Sequence, residues 1–361
     1  MTIGILGGGQ LGRMLALAGT PLGQRFLFLD PSSESPAGHV GELRVGAYTD
    51  EAALDELARK CEVVTYEFES VPVESARALA AHVPVFPPPN ALEVAQDRQR
   101  EKTFFETLGI PTAVFAKVDS KEELTRAIET IGLPAILKTR RFGYDGKGQA
   151  TLRAASDVDA AWEACGGAPS ILERFVPFQR ELSILTVRGR DGGAASYALV
   201  ENHHQGGILR LSIAPASGVS AKLQETASQH AERITRELDY VGVLAVEFFE
   251  VNGELLANEM APRVHNSGHW TIEGAETSQF ENHVRACLGL PLGSTTCIGV
   301  TAMLNVIGTI PEQAPILAVE DAHLHMYGKD AAPGRKLGHV TVRAKSRETL
   351  AARVEELRKL L

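Results

Sequence analysis

The first hundred residues alternate short apolar runs with amphipathic ones, a pattern that predicts an open, mostly parallel α/β sheet. Thr2–Leu6 and Phe26–Leu29 are apolar runs of strand length, Gln10–Ala18 between them carries a helical period, and Val63–Tyr66 supplies a further strand. The apolar stretch Val83–Pro89 ends in three consecutive prolines. Proline lacks the N–H that a ladder or a helix interior needs, so Pro87–Pro89 is expected to close the first domain. Asn90 and Asp97 are cap-type residues ahead of helical stretches, and Gly109-Ile110-Pro111 is a stop signal.

Beyond Lys121 the pattern changes. Helix, strand (Ala135–Lys138), glycine-rich loop, strand, helix and strand (Ile171–Arg174) predict a small α+β subdomain ending near Phe175. From Glu181 to Ala261 the stretches read mostly as antiparallel strands, interrupted by one amphipathic helix over Gln224–Leu238. After Thr295 short strands lead into a charged helix, Arg347–Leu360.

Composition adds bounds. A chain of 361 residues, 44 % apolar and 22 % charged, is globular and long enough for two or three domains. Its 36 basic and 45 acidic residues leave a net charge of −9, so no global field draws it to nucleic acid or an anionic membrane. Any phosphate must be held by local cations. The four cysteines, Cys61, Cys165, Cys287 and Cys297, show no metal-site spacing, which predicts free thiols in a reducing cytoplasm. Met1–Gly9 has no basic stretch before its apolar residues, and no apolar run reaches the ~20 residues of a membrane span, so neither an export signal nor a transmembrane helix is expected.

Two glycine clusters carry candidate chemistry. Gly7-Gly8-Gly9-Gln10-Leu11-Gly12 fits G-x-G-x-x-G between a strand and a helix, with Asp30 at the end of the next strand. Three readings are open: a dinucleotide site of an NAD(P)-dependent oxidoreductase, a tight turn that needs glycine whatever it binds, or a helix N-terminus that receives another substrate. The second cluster places Lys138 on a strand just ahead of Gly143, Gly146 and Gly148. Such a loop can fold its amides over a polyphosphate while the lysine supplies charge, and it is not the G-x-x-x-x-G-K-[ST] loop. A hairpin with solvated basic residues is the plain alternative.

Leu244–Glu250 and Glu254–Glu259 flank Val251-Asn252-Gly253, a hairpin signal. The turn length decides which side chains meet. A two-residue Asn-Gly turn sets Glu247 opposite Asn258, whereas a three-residue turn pairs Glu247 with Ala257 and leaves Glu247 and Glu259 diagonal neighbours, roughly 7–8 Å apart. The three-residue turn is expected, because two carboxylates at that separation on an apolar hairpin can hold a hard cation. Directly after it, Met260–Trp270 is polar and non-repetitive; Arg263 can grip a small oxyanion and His265 can orient or move a proton.

In this order, Lys138, the glycine loop, Glu173-Arg174-Phe175-Val176, Glu181, Glu247, Asn258-Glu259 and Arg263 resemble the ATP-grasp carboxylate-amine ligases. The strings Gly8–Met14, Gly143–Gln149, Asn258–Trp270 and Pro333–His339, spread nearly end to end, are similar to those of the branch that joins bicarbonate to 5-aminoimidazole ribonucleotide in purine biosynthesis. The resemblance implies an N-terminal Rossmann-like (pre-ATP-grasp) domain over 1–89, a central ATP-grasp domain over 90–293 with 111–175 as its small lid, and a small β-rich C-terminal domain over 294–361.

It further implies ATP and Mg²⁺ as cofactors. Arg98, Lys138 and the flap Gly143, Tyr144, Asp145, Gly146, Lys147, Gly148 and Gln149 would contact phosphates. Glu173, Arg174, Phe175 and Val176 would line the adenine pocket with backbone groups, Glu181 would take the ribose, and His204 would lie near the nucleotide. Glu247 and Glu259 would hold magnesium beside Asn258. Ala261 stands where many relatives carry a third metal-binding Asn, which leaves that role to Asn266 or water. Gly9, Gln10, Leu11, Glu67 and Glu69 would face the imidazole ribonucleotide, with Lys329, Arg335 and Lys336 on its phosphate. Carboxyphosphate would be held by Arg263, while Tyr144, Asp145 and His265 would place the amine and handle its proton. A homodimer is the expectation for such a ligase. The rivals are another ATP-grasp ligase on a purine-pathway ribonucleotide, the oxidoreductase, and a non-catalytic nucleotide-binding protein.

Overall fold

A computed structural model of the chain describes residues 1–143 and 147–361; Tyr144, Asp145 and Gly146 lie outside the described residues. The N-terminal segment forms β1 (Thr2–Leu6), α1 (Gln10–Gly19), β2 (Arg25–Asp30), β3 (Glu42–Val45), α2 (Glu51–Lys60), β4 (Val63–Tyr66) and α3 (Val73–Ala80). Its sheet runs β3-β2-β1-β4, all parallel. Val63–Tyr66 is buried along its whole length, as a strand covered on both faces must be.

The proline triplet ends this sheet by starting a helix. Val85 makes one bridge to Val64, and Pro89 is the first residue of α4 (Pro89–Ala95), where a missing N–H leaves no intrahelical bond unmade. Pro88, not Asn90, therefore occupies the cap position. Asp97 does cap α5 (Arg98–Thr107), accepting the amides of Gln99 and Arg100 at 3.0 and 3.3 Å.

The predicted small subdomain consists of β5 (Phe115–Val118), α6 (Lys121–Ile131), β6 (Ala135–Thr139), β7 (Gln149–Leu152), α7 (Val158–Ala164) and β8 (Ser170–Arg174), with antiparallel sheet order β5-β8-β6-β7. Next come β9 (Arg180–Arg188), β10 (Ala194–Ser196), β11 (Val200–Gln205), β12 (Ile208–Ala214), α8 (Ala221–Glu237), β13 (Gly242–Val251), β14 (Glu254–Ala261), α9 (Thr271–Gly274) and α10 (Gln279–Leu288). The chain ends in β15 (Val300–Ile307), α11 (Gln313–Leu317), β16 (Ala322–Met326), β17 (Lys336–Ala344) and α12 (Arg347–Arg358).

The C-terminal strands do not form a sheet of their own. Nine strands make one antiparallel sheet, β14-β13-β9-β11-β12-β15-β17-β16, with β10 beside β9. One apolar core joins the N-terminal segment to the large sheet and the C-terminal strands, packing Ile5, Leu15 and Phe28 with Leu185, Trp270, Met303 and Tyr327, while the small subdomain has its own core around Leu124, Leu137 and Leu172. Among the described residues no helix is long and apolar enough to cross a membrane.

The β13–β14 hairpin departs from its expected turn. Val251 pairs with Glu254, so the turn has two residues; Asn252 (φ 53°) and Gly253 (φ 80°) both adopt the left-handed region, as a type I′ Asn-Gly turn requires. Even registry holds to Phe248–Ala257 and then shifts. Asn258 is an extra residue, and Glu247 faces Glu259 directly. The two acids meet through this bulge, not through an odd turn.

A Cβ on Gly253 meets no atom within 4 Å, so replacing it costs backbone strain alone. Gly253→Ala is expected to lower unfolding free energy by about 1–2 kcal/mol in denaturant titration; an unchanged midpoint contradicts the turn assignment.

Candidate active site

A cleft of about 1290 Å³ opens where the three sheets meet. It is lined by Gly9, Gln10, Leu11, Glu67 and Glu69 from the N-terminal segment, and by Arg98, Lys138, Gly143, Lys147 and Gln149 from α5 and the lid. The large sheet and its loops add Glu181, His204, Glu247, Asn258, Glu259, Arg263, His265, Asn266, Lys329 and Lys336. Gly148, Glu173, Arg174, Phe175, Val176 and Arg335 are not part of that lining. Gly148 (φ +69°) packs on Thr139, and Arg335 donates to the carbonyl of Asp330 at 3.1 Å. The amides of Arg174 and Phe175 are bonded to the carbonyls of Val114 and Pro134 at 2.8 and 3.1 Å. Tyr144, Asp145 and Gly146 lie outside the described residues.

The first glycine turn spends its amides on carboxylates of the same chain. Glu67 points into it and accepts the amides of Gly9 and Gly12 at 2.5 and 2.7 Å, while Asp30 takes that of Gly8 at 2.8 Å. A Cβ on Gly9 would overlap the Glu67 carboxylate, so glycine here serves a carboxylate from the same chain. The amides that a dinucleotide would use are occupied, which removes the physical basis of the oxidoreductase reading. Lys329 donates to Gln10 Oε1 at 2.5 Å, tying the late basic segment to this turn.

Charge at the other wall is balanced between segments. Lys138, on β6, donates to Glu173 Oε2 at 2.9 Å, with Lys102 3.7 Å from the same oxygen. Burial opposes ionisation of Glu173, yet Lys102 and Lys138 together hold it down to about 2. Burial likewise opposes ionisation of Glu259, and Arg98, at 2.8 Å, overrides it to about 2. No ion pair of this kind is seen for Glu247 among the described residues, and burial and the facing Glu259 push it up to about 7. Burial and the Arg263 charge depress His265 to about 3, so its ring is neutral. Its Nδ1 bonds Ser267 Oγ at 2.9 Å and its Nε2 lies 3.4 Å from Glu247. Arg263 pairs with Glu69, and His204 with Glu181.

Among the described residues no three His, Cys, Asp or Glu side chains form a metal-binding group. Glu247, Glu259 and the amide oxygen of Asn258 nonetheless offer three hard donors, and Asn258 Oδ1 is buried without a partner among the described residues. That donor set suits Mg²⁺ completed by phosphate oxygens. Asn266 is already engaged in a reciprocal amide pair with Asn305, at 2.7 and 3.0 Å.

Three family models match the chain in succession: a ribonucleotide synthetase preATP-grasp domain over residues 1–96, an ATP-grasp domain over 103–280, and a phosphoribosylaminoimidazole carboxylase C-terminal domain over 301–353. An N5-carboxyaminoimidazole ribonucleotide synthase of Pseudomonas aeruginosa is 55% identical over 361 residues, 100% of this chain and 99% of that protein. The chain belongs to the N5-carboxyaminoimidazole ribonucleotide synthase family. The crystal structure of the Thermus thermophilus N5-carboxyaminoimidazole ribonucleotide synthetase shares 60% identity, with a TM-score of 0.96 over 99% of this chain and 98% of that one. The Aspergillus clavatus enzyme in complex with ADP and 5-aminoimidazole ribonucleotide shares 32% identity, with a TM-score of 0.93 over 99% and 98% of the two chains.

Membership makes the chain an ATP-dependent ligase built on an ATP-grasp domain. Sequence reasoning missed the buried Glu101, which lines the cleft, its buried neighbour Lys102, and the stacked pair Phe178–Phe249, whose centroids are 4.6 Å apart. The available signal was helical spacing: Glu101 and Lys102 stand three and four residues after Arg98, on its face of α5.

Glu247 is raised from 4.5 to about 7. Its ionisation therefore destabilises the fold progressively as pH rises between those values, and the penalty is complete above them. Without divalent cations, Glu247→Gln is expected to be the more stable protein at pH 8 by on the order of 1–3 kcal/mol, with the gap closing toward pH 5, in melting curves at both values. A gap that widens on acidification contradicts this.

Proposed function

We propose that this protein carboxylates the amine of 5-aminoimidazole ribonucleotide with bicarbonate at the expense of ATP, releasing ADP and phosphate, in purine biosynthesis. The observation that carries the reading is that one cleft is lined at once by Lys138, the Glu247–Glu259 pair, Arg263 and the Gln10–Lys329 contact. ATP is assigned to the lid wall, between Lys138, Arg98 and the 143–149 flap, with Glu181 and His204 toward its sugar. The imidazole nucleotide is assigned to the wall made by Gly9, Gln10, Leu11, Glu67 and Glu69, with its phosphate toward Lys329 and Lys336.

A bicarbonate oxygen attacks the γ-phosphorus and the bond to the β-phosphate oxygen breaks, leaving carboxyphosphate and ADP. Lys138 offsets charge on the transferring group, and its partner Glu173 keeps it aimed into the cleft. Glu247, Glu259 and Asn258 would hold Mg²⁺, which when bound would supply further charge neutralisation on phosphate oxygens. Arg263 holds carboxyphosphate; the exocyclic amine then takes its carbon, directly or as trapped CO₂, and phosphate departs. His265 is neutral, which suits its ring to orienting the amine by a hydrogen bond rather than to holding its proton. Solvent exclusion matters because carboxyphosphate hydrolyses readily. A homodimer in the cytoplasm completes the proposal.

Labelled bicarbonate, ATP and 5-aminoimidazole ribonucleotide should yield labelled carboxyamino product, with ADP formation dependent on the imidazole nucleotide. ATP turnover indifferent to that nucleotide contradicts the substrate assignment. Lys138→Ala should cut kcat by about 100-fold or more. Lys336→Ala should raise KM for the ribonucleotide about ten-fold with kcat nearly kept. Equal effects of both on ATP binding contradict the division of walls.

A further inference from the structure

Helix α5 lies along β14, the edge strand of the large sheet, and three side chains of one helical face reach it. Arg98 Nη1 donates to the Glu259 carboxylate at 2.8 Å. Glu101 Oε1 accepts the backbone N–H of Met260 at 2.6 Å, and Lys102 Nζ donates to the carbonyl of Ala257 at 3.2 Å. Glu101 is 2% exposed and Lys102 0%, so both are ionisable groups placed in the interior.

Parity explains what these contacts do. In a regular strand, residues three apart turn their backbone groups to opposite edges. Ala257 and Met260 are three apart, and both present backbone groups to α5. Only a strand with an extra residue between them does this, and Asn258 is that residue. The two α5 side chains are therefore satisfied together only by the bulged register, the same register that sets Glu259 opposite Glu247.

We propose that Glu101 and Lys102 are positioning residues that hold the β14 bulge, and through it the cation-binding geometry of Glu247 and Glu259. The inference rests on the reading of those two acids as a magnesium site. A purely electrostatic role makes different predictions. By charge alone, Lys102→Met would tighten cation binding and Glu101→Gln would alter it no differently from Glu101→Ala. As a clamp, Lys102→Met loosens binding, Glu101→Ala loosens it, and Glu101→Gln, whose amide oxygen still accepts the Met260 N–H, restores it.

The test is Mn²⁺ titration of the full-length protein with ADP present, free Mn²⁺ being read by electron paramagnetic resonance, with thermal melting run alongside. Glu101→Ala and Lys102→Met should each weaken Mn²⁺ binding by about 10- to 100-fold, with Glu101→Gln close to the parent. If Glu101→Ala does not fold, Lys102→Met carries the test. Parent-like affinity in Lys102→Met, tighter binding in it, or equal losses in Glu101→Ala and Glu101→Gln overturns the clamp. Glu247→Gln separates the two levels: Mn²⁺ uptake unaffected by that change overturns the metal-site reading itself, and the clamp with it.

Discussion

Two carboxylates facing each other on neighbouring buried strands repel, and the cleft is organised around the neutralisation of that charge. Arg98 answers Glu259, Lys138 and Lys102 answer Glu173, and Arg263 answers Glu69. Lys138 and Glu173 brace neighbouring strands of the lid, Lys102 ties α5 to the lid, Arg98 ties α5 to the large sheet, and Arg263 ties the loop after β14 to the N-terminal segment at Glu69. Removing one partner of such a pair strands a buried charge, which costs more than the pair contributes when whole. Glu247 is left under-compensated, and burial and the facing Glu259 raise its pKa, which records a demand for positive charge. A polyphosphate and its counter-ion enter a site whose potential is already set by these opposed pairs.

The element order was largely legible because hydrophobic period separates buried parallel strands, such as Val63–Tyr66, from two-faced antiparallel ones. The hairpin shows where legibility stops. Asn-Gly is a strong sign of a two-residue turn, and the turn is of that kind. The bulge that brings Glu259 to Glu247 leaves no local mark on the sequence, because it is stabilised by Glu101 and Lys102, more than 150 residues upstream. The expected closeness of the acids was correct and the expected route to it was not.

The glycine turn after β1 illustrates the converse. Its local pattern matched a dinucleotide fingerprint, since a strand entering a helix by a tight turn imposes the same steric demand in either case. What distinguishes the two is Glu67, whose carboxylate fills the amide cradle. Burial raises its pKa, and the two amide donors oppose that rise. Long-range occupation of a short-range motif cannot be read from the motif. Resemblance over several separated strings supplied the weight that the single motif lacked.

The continuous antiparallel ladder from β14 to β16 has a mechanical consequence. Glu247 on β13 and Lys336 at the start of β17 belong to one hydrogen-bonded sheet, and sliding one against the other would break backbone bonds across several strands. The span between the acidic pair and the late basic residues is thus a fixed gauge, while Lys138 rides on a separate sheet whose ion pairs reach the large one by way of α5. Any hinge at that junction varies only the nucleotide's distance from a rigid anvil.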